Sequence, residues 1–183
     1  MFQASVKKNN IKNITIVPQV CGANDGDKLR LTSFPANMGG TRNIEITKKQ
    51  DVSHLESKDQ GEFDVITLDT FIKQNGITTI DLIKIDVEGY EPNVLNGFIH
   101  GIKAHIVKNI IFELSPCSLE VSVCTQMLDL LKCNGYFLYD IGIKESGSEI
   151  KSSKCSFISD LVFLDYVKTI KQTNILASTV KLF

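Results

Sequence analysis

The sequence lacks the marks of membrane, secreted and nucleic-acid-binding proteins. No apolar run reaches the roughly 18 residues that a transmembrane helix needs. The opening residues, MFQASVKKNNIKN, lack the apolar segment of a signal peptide. Lysine and arginine number 20 against 21 acidic residues, without a dense basic run. The composition therefore argues against a transmembrane segment, a secretory leader and a nucleic-acid partner.

The five cysteines and three histidines do not form a recognisable metal-binding motif. There is no CxxC pair and no HxxxH pair, and Cys117, Cys124 and Cys133 are spaced seven and nine residues apart. A spacing of seven can place two residues on one helix face, where a cysteine is usually part of the core. We therefore predict no metal and, because the cysteines show no disulfide pattern, a reduced cytoplasmic location.

Length and composition are those of one globular domain, which we assign to residues 1–183. The chain is 43% hydrophobic and 22% charged, with a formal net charge of −1. A chain of this size buries roughly 70% of the surface that its unfolded form exposes, so its core needs no disulfide or metal. The absence of a GxGxxG motif argues against a dinucleotide-binding domain.

The most informative stretch is DLIKIDVEGYEPNVLNG, at positions 81–97. Its apolar run is followed by acids, by a glycine and by a proline that can open a helix, which is the pattern of a strand, a turn and a helix in a parallel sheet. Because alternate residues of a strand share a face, Lys84, Asp86 and Glu88 are predicted to point the same way. Open α/β sheets bind ligands at the carboxyl ends of their strands, where Asp86 and Glu88 lie.

The remaining segments predict alternating strands and helices. Strands are predicted at residues 14–20, 27–32, 63–67, 81–87, 109–114, 136–141 and 157–166, and helices at 68–76, 91–105 and 116–134. Thr67 or Asp69 is expected to cap the first of these helices. Residues 33–61 are predicted to form a long loop with a short strand at 44–46, and residues from 167 onward a short helix or a fraying tail.

This order of elements predicts the fold class. Strands that alternate with helices indicate an α/β fold with a mostly parallel sheet and helices on both faces. The last two predicted strands have no clear helix between them, which indicates an antiparallel hairpin at the C-terminal edge of the sheet.

Three blocks of the sequence together resemble one family. They are Thr67-Leu68-Asp69, KIDVEGYEPNVLNG at 84–97 and IIFELSP at 110–116, in this order and spacing. From residue 1 to about residue 166, the chain resembles the FkbM-type methyltransferases, which depend on S-adenosyl-L-methionine. The resemblance implies the Rossmann-like fold of class I methyltransferases and O-methylation of a hydroxyl group on a sugar or small metabolite.

The resemblance breaks down at the N-terminus. Members of the family carry a strand with an acidic, glycine-rich cofactor loop and a second strand whose terminal acid holds the ribose. No such segment precedes KKNNIKNITIVPQV, at residues 7–20, so the chain is expected to lack its first two strands. Residues 22–26 are interpreted as the turn after the third strand, because DKLRLTSFP alternates like a strand; the alternative is that they form the cofactor loop.

The resemblance also assigns roles to individual residues. The predicted catalytic residues are Asp86, Glu88 and Glu113, and the predicted cofactor-binding residues are Val20, Cys21, Asp86 and Val87. Asp86 is expected at the methionine part of the cofactor, and Glu88 on the acceptor side, where a carboxylate can take the hydroxyl proton. Val20 and Cys21 are expected to flank the adenine.

Structural roles are the alternative for these charged residues. The acids could instead stabilise the N-terminus of the following helix through its dipole, and this is the preferred interpretation for Glu91. Lys84 lies in an otherwise apolar strand and is expected to form an ion pair with Glu113. Glu113 could equally face the acceptor pocket.

Two functions follow from these observations. The first is an S-adenosylmethionine-dependent O-methyltransferase that acts on a small molecule or a glycan. The second is a catalytically inactive methyltransferase-like chain that forms a homodimer or pairs with a partner chain. An unpaired apolar edge at the strand 81–87 would favour such pairing.

Overall fold

The computed structural model describes residues 2–34, 37–43, 58–142 and 155–183. The helices are α1 Phe2–Lys8, α2 Leu68–Gln74, α3 Glu91–Asn96, α4 Ile99–Lys103, α5 Val121–Cys133 and α6 Phe163–Thr169. The strands are β1 Val20–Cys21, β2 Lys28–Phe34, β3 Asn37–Asn43, β4 Lys58–Ile66, β5 Ile83–Ile85, β6 Asn109–Leu114, β7 Phe137–Asp140, β8 Ser156–Phe157 and β9 Thr173–Ser178.

Five strands form one mixed sheet in the order β5-β6-β9-β7-β8. Strand β5 pairs with β6 in parallel, and β9 lies between β6 and β7, antiparallel to both. Strands β5, β6 and β7 therefore run in the same direction, and their carboxyl ends lie at one edge of the sheet. We call this edge the carboxyl edge.

The main core covers one face of this sheet. In β6 the side chains alternate between buried and half-buried, with Ile110, Phe112 and Leu114 fully buried. This alternation follows from the two-residue period of a strand, because every second side chain points to the same face. Helix α5 packs against α3 and α6 and contributes buried side chains such as Leu128 and Leu131 to the same core.

The other four strands form a second mixed sheet in the order β1-β4-β2-β3. Strand β1 pairs with β4 in parallel, whereas β2 is antiparallel to both β3 and β4. Exposed ion pairs join β2 to β4, between Lys28 and Asp64 and between Arg30 and Asp59. Strand β2 of this sheet confirms the strand predicted at residues 27–32.

The two sheets are connected around Asp69 and Gly97. The backbone N–H of Asp69 donates to the carbonyl of Gly97 at 3.0 Å. A Cβ atom on Gly97 would lie 2.0 Å from the carbonyl oxygen of Gly22, so only glycine allows this close backbone approach. The end of α3 is thereby held against the turn that follows β1.

Several predicted elements are confirmed. Strands occur at β2, β6 and β7 close to the predicted positions. Helix α2 begins after Thr67, whose hydroxyl accepts a hydrogen bond from the N–H of Thr70, and it ends at Asn75. The strand predicted at 81–87 pairs in parallel with β6, as expected. Its regular part is limited to Ile83–Ile85, and it is an outermost strand of the five-stranded sheet.

Other predictions about the strands and sheets are wrong. The strand at 14–20 survives only at Val20, and Ile14 and Val17 are exposed. Within 33–61, β3 and the start of β4 replace part of the predicted loop, while the proposed strand at 44–46 lies outside the described residues. The sheets are mixed rather than mostly parallel, because β9 inserts antiparallel between β6 and β7.

The predicted helix 91–105 is split into α3 and α4. The N–H of Gly101 would extend a continuous helix by bonding to the carbonyl of Gly97. It donates instead to the carboxylate of Asp69, while that carbonyl accepts from the N–H of Asp69. The chain therefore leaves the helical path at Gly97 and starts again at Ile99.

The predicted strand 157–166 is also wrong. Only Ser156–Phe157 is a strand, and Phe163–Thr169 is a helix whose buried residues, Phe163 and Val167, are four positions apart. That spacing is helical, but the β-branched and aromatic residues of the segment favour the prediction of a strand. The last strand, β9, lies in the segment that was expected to be a short helix or a tail.

Candidate functional site

The candidate site is a loop at the carboxyl edge, immediately after β5. Strand β5 ends at Ile85, which is buried, so Asp86 and Glu88 lie in the loop and not in the strand. Glu88 and Gly89 both have positive φ angles, of 53° and 96°. The two-residue strand period thus does not extend to Glu88, and the loop conformation decides where its side chain points.

Lys84 forms an ion pair with Asp86 rather than with Glu113, which corrects the predicted pairing. The side chains of Lys84 and Asp86 are 57% and 56% exposed. Lys84 is therefore not the buried ammonium that the apolar strand pattern indicated. An exposed pair of this kind contributes little to stability, so a cationic ligand can replace Lys84 beside Asp86.

Glu113 lies next to this loop on the neighbouring strand. The last parallel pair between the two strands joins Ile85 to Phe112, and Asp86 and Glu113 are the next residues along each strand. Glu113 is half-buried and lies opposite Asn174 of β9. Asp86 and Glu113 therefore both lie at the carboxyl edge, at the ends of two adjacent strands.

Glu91 binds the backbone of the loop in addition to lying at the N-terminus of α3. It is only 1% exposed, and its carboxylate oxygen Oε1 accepts a hydrogen bond from the backbone N–H of Val87 at 3.1 Å. Burial raises the pKa of Glu91 above its ordinary value, and the nearby charge of Glu113 adds to this rise. Hydrogen bonds from the backbone of Glu91, Val87 and Gly89 act in the opposite direction.

A role for Glu91 beyond the helix dipole could have been found from its spacing. It precedes Val94 by three residues and Leu95 by four, and both are buried. Residues at these separations share one face of a helix, so the pattern places Glu91 on the buried face of α3.

The predicted adenine-side residues, Val20 and Cys21, lie in the second sheet, paired with the end of β4. Burial raises the pKa of the Cys21 thiol to about 11, so it stays protonated and neutral at physiological pH. Next to it, Gly22 lies against the ring of Tyr90, since an added Cβ would be 3.3 Å from Tyr90 Cε1. Tyr90 closes the candidate loop, and its N–H donates to the carbonyl of Val87 at 3.2 Å.

Residues 22–26 form a turn that is followed by β2 and not by a helix, as the sequence predicted. The carboxylate of Asp25 in this turn accepts hydrogen bonds from the N–H of Thr67 and the hydroxyl of Thr70, both at 2.7 Å. These bonds hold the pKa of Asp25 below its ordinary value, the one from Thr67 most strongly. The turn is thus attached to the N-terminus of α2.

A polar cluster at the end of β7 was missed by the sequence analysis. The carboxylate of Asp140 accepts hydrogen bonds from the hydroxyls of Tyr166 at 2.8 Å and Thr173 at 2.5 Å. Burial, reinforced by the hydrogen bond and the charge of Asp140, raises the pKa of Tyr166. No sequence signal pointed to this cluster, because Tyr166 was assigned to a strand and Thr173 to the tail.

Asp86 in the loop and Val20 and Cys21 in β1 have side chains that suit two different parts of an S-adenosylmethionine molecule. That cofactor carries a sulfonium and an ammonium group, which an exposed carboxylate such as Asp86 attracts. A neutral thiol at Cys21 and the apolar Val20 suit an uncharged adenine ring.

The described part of the chain contains no cluster of three or more His, Cys, Asp or Glu side chains arranged to hold a metal ion. Among the described helices, none is both long enough and apolar enough to span a membrane.

Comparison with known proteins supports one family. No curated protein and no solved structure matches the chain. The model of the methyltransferase FkbM domain matches residues 21–138, a segment that runs from β1 into β7 and contains the candidate loop. Because this match covers more than half of the 183 residues, the chain belongs to the FkbM methyltransferase family.

Proposed function

We propose that this chain is an S-adenosylmethionine-dependent O-methyltransferase that acts on a hydroxyl group of a sugar or another small metabolite. The observation that carries the proposal is the loop at the carboxyl edge, where Asp86, Glu88 and Glu113 belong to two adjacent parallel strands or follow them directly. In α/β sheets this is the place where ligands bind. Membership of a methyltransferase family supports the assignment of the reaction class.

In this proposal, S-adenosylmethionine supplies the methyl group as its donor. Asp86 and Val87 hold the methionine part, with the Asp86 carboxylate exchanging Lys84 for a cationic group of the cofactor. Val20 and Cys21 lie against the adenine. Each of these residues orients the donor, and orientation alone can supply much of the rate of a two-substrate reaction.

Glu88 and Glu113 are the proposed acceptor-side residues. A carboxylate within hydrogen-bond distance of the acceptor hydroxyl can orient it and accept its proton. Glu113 is half-buried beside the buried Glu91, and their negative charges interact unfavourably.

Isothermal titration of the full chain with S-adenosylmethionine, and separately with S-adenosylhomocysteine, tests the cofactor assignment. We expect saturable binding, weakened about tenfold by Asp86→Asn, since a lost charge interaction of about 1.4 kcal/mol has that effect. Asp129→Asn, an exposed acid on α5, is the matched control and should bind like the wild type. A folded wild-type chain that binds neither compound would contradict the proposal.

Methyl transfer itself is tested with S-adenosylmethionine labelled in its methyl group and a panel of neutral sugars and hydroxylated metabolites. Once a hydroxyl acceptor is found, Glu88→Gln and Glu113→Gln should lower kcat more than they change cofactor binding. Label that appears on nitrogen or carbon instead of oxygen would rule out O-methylation.

The second candidate function, pairing of an inactive chain with a partner, is favoured by one observation. Strand β5 lies at the edge of the five-stranded sheet in the described part of the chain, and the adjoining Leu82 is 53% exposed. An apolar strand edge can accept a strand from another chain. A homodimer formed in this way would cover Leu82.

Sedimentation velocity of the wild type and of Leu82→Glu separates this candidate from a monomeric enzyme. Pairing through β5 predicts a wild-type dimer that Leu82→Glu dissociates. Leu164→Glu, at an exposed apolar position on α6, is the control and should leave the dimer intact. A monomeric wild-type chain that binds S-adenosylmethionine would contradict this second candidate.

A further inference from the structure

We propose that Glu91 is a positioning residue that holds the candidate loop in the shape needed to bind S-adenosylmethionine. This inference rests on the proposed function, because it names a residue that acts on the same site through the backbone. Glu91 does not itself face the proposed ligands in this view. Its carboxylate accepts a hydrogen bond from the backbone N–H of Val87, which lies between Asp86 and Glu88, and so holds these two residues in place.

The first argument is the geometry of the Glu91 carboxylate. Glu91 is the first residue of α3, yet its side chain turns back and accepts the N–H of Val87, four residues earlier, at 3.1 Å. The carboxylate also interacts with the backbone N–H groups of Gly89 and of Glu91 itself. One buried acceptor is thus shared by the backbone of the whole loop.

The second argument is the conformation of that loop. Glu88 and Gly89 have positive φ angles, of 53° and 96°. A residue other than glycine, here Glu88, is destabilised in this left-handed region of backbone conformation. A strained backbone conformation of this kind is maintained only where neighbouring groups hold it in place. The Glu91 carboxylate is such a group, because it binds the N–H on either side of Glu88.

The third argument is that a carboxylate buried in this position needs hydrogen-bond donors, and the loop backbone supplies one. A carboxylate at a helix N-terminus gains from the helix dipole while it stays in water, so the dipole does not require burial. Burying an acid is unfavourable unless it is well hydrogen-bonded. The buried position is therefore explained by the backbone groups that the carboxylate satisfies.

Two substitutions separate anchoring from charge. Glu91→Gln keeps a side-chain oxygen that can accept the N–H of Val87, whereas Glu91→Leu keeps most of the volume and removes the acceptor. Leaving one backbone N–H without its acceptor costs about 1–3 kcal/mol, which is less than the stability of a typical domain, so both variants should fold. Glu62→Gln, on an exposed acid of β4, is the control for the loss of one negative charge.

Three measurements are made on the full-length chain of each variant: thermal unfolding, hydrogen exchange at the Val87 and Gly89 amides, and calorimetric titration with S-adenosylmethionine. We expect Glu91→Leu to remain folded, to exchange both amides faster and to bind S-adenosylmethionine at least about tenfold more weakly. Glu91→Gln should restore slow exchange and most of the affinity, and Glu62→Gln should match the wild type.

The outcomes distinguish this inference from the proposed function. Slow exchange at Val87 in Glu91→Leu, or unchanged affinity despite fast exchange, would overturn the positioning role while the proposed function stands. A Glu91→Gln variant as defective as Glu91→Leu would also overturn it, because charge and not the acceptor would then matter. A wild-type chain that binds no S-adenosylmethionine would overturn the proposed function, and the exchange data would still decide whether Glu91 anchors the loop.

Discussion

In the five-stranded sheet the side chains of Ile110, Phe112 and Leu114 on β6 are fully buried, whereas in the four-stranded sheet the described apolar side chains that are buried are Leu29 and Val65. The five-stranded sheet is thus stabilised by burial of apolar area. The four-stranded sheet buries much less apolar area, and the ion pairs between its strands β2 and β4 are exposed and contribute little. The two sheets should therefore respond differently to the same kind of substitution.

Two carboxylates make polar contacts around the junction of the two sheets. Asp25 binds the start of α2 from the turn after β1, and Asp69 binds the backbone N–H groups of His100 and Gly101 at the start of α4. Carboxylates that accept backbone N–H groups are directional, whereas apolar packing is not. The apolar core therefore provides most of the stability, while Asp25 and Asp69 orient the segments around the candidate loop.

The largest effect should come from truncating the core. Phe112→Ala removes a fully buried ring from β6 and should lower the free energy of unfolding by about 3–5 kcal/mol. Phe63→Ala, in β4 of the four-stranded sheet, where the ring is 36% exposed, should cost about 1 kcal/mol or less. Urea denaturation of both variants measures the difference, and equal losses would refute the contrast between the sheets.

The next largest effect should come from Asp69. Asp69→Ala removes the acceptor of two backbone N–H groups, at 2.9 Å from His100 and 2.8 Å from Gly101. We expect a loss of about 2 kcal/mol in the free energy of unfolding, because these N–H groups lose a charged acceptor. Asp129→Ala, on an exposed part of α5, is the control and should change stability by less than about 0.5 kcal/mol.

A smaller, pH-dependent effect is expected for Asp25. Hydrogen bonds from Thr67 and Thr70 hold its pKa in the folded chain below the ordinary value of 3.8. The lowered pKa means that Asp25 stabilises the fold above pH 3.8 and that this contribution is lost as the pH falls through the folded-state pKa. The wild type should therefore melt above Asp25→Ala at pH 6, and the two midpoints should converge as the pH is lowered below about 3.8.

Thermal melts of both chains between about pH 6 and pH 2.5 make this comparison. A midpoint difference that is constant over this range would show that the side chain of Asp25 acts through packing and not through its charge.

The smallest effect is expected for the ion pair between Arg30 and Asp59 on the four-stranded sheet. The two side chains are 62% and 45% exposed, so water screens their attraction. Arg30→Ala should leave the urea midpoint unchanged within error, both in low salt and in high salt. A clear, salt-sensitive loss would show that surface charges stabilise this sheet more than its exposure indicates.

Local patterns predicted those parts of the fold that depend on near neighbours in the chain. The alternation in NIIFEL predicted β6, and Thr67 before an apolar run predicted the start of α2. The sequence resemblance also identified the family, since its motifs lie in short continuous blocks. Where a distant contact decided the outcome, prediction failed: Asp69 divides the helix 91–105, and α5 buries Phe163 and Val167 in a segment predicted as a strand.

The candidate site shows the same division. Asp86, Glu88 and Glu113 could be named from the sequence because acids at strand ends follow a local pattern, and their roles are still proposals. The pairing of Lys84 with Asp86 and the anchoring function of Glu91 could not, because both depend on the path of the loop after Ile85. The Asp140 cluster joins three separate segments of the chain, so no local pattern could reveal it.

By itself the sequence determined the family, the strand that precedes the candidate loop and the acids that follow it, because motif spacing and side-chain periodicity are properties of the chain alone. The tertiary structure alone decided that β9 inserts antiparallel between β6 and β7, that β5 lies at the sheet edge, and that Glu91 is buried beneath the loop. Those features depend on which distant segments share the core, and the free energy of burying apolar area is decided by the whole fold.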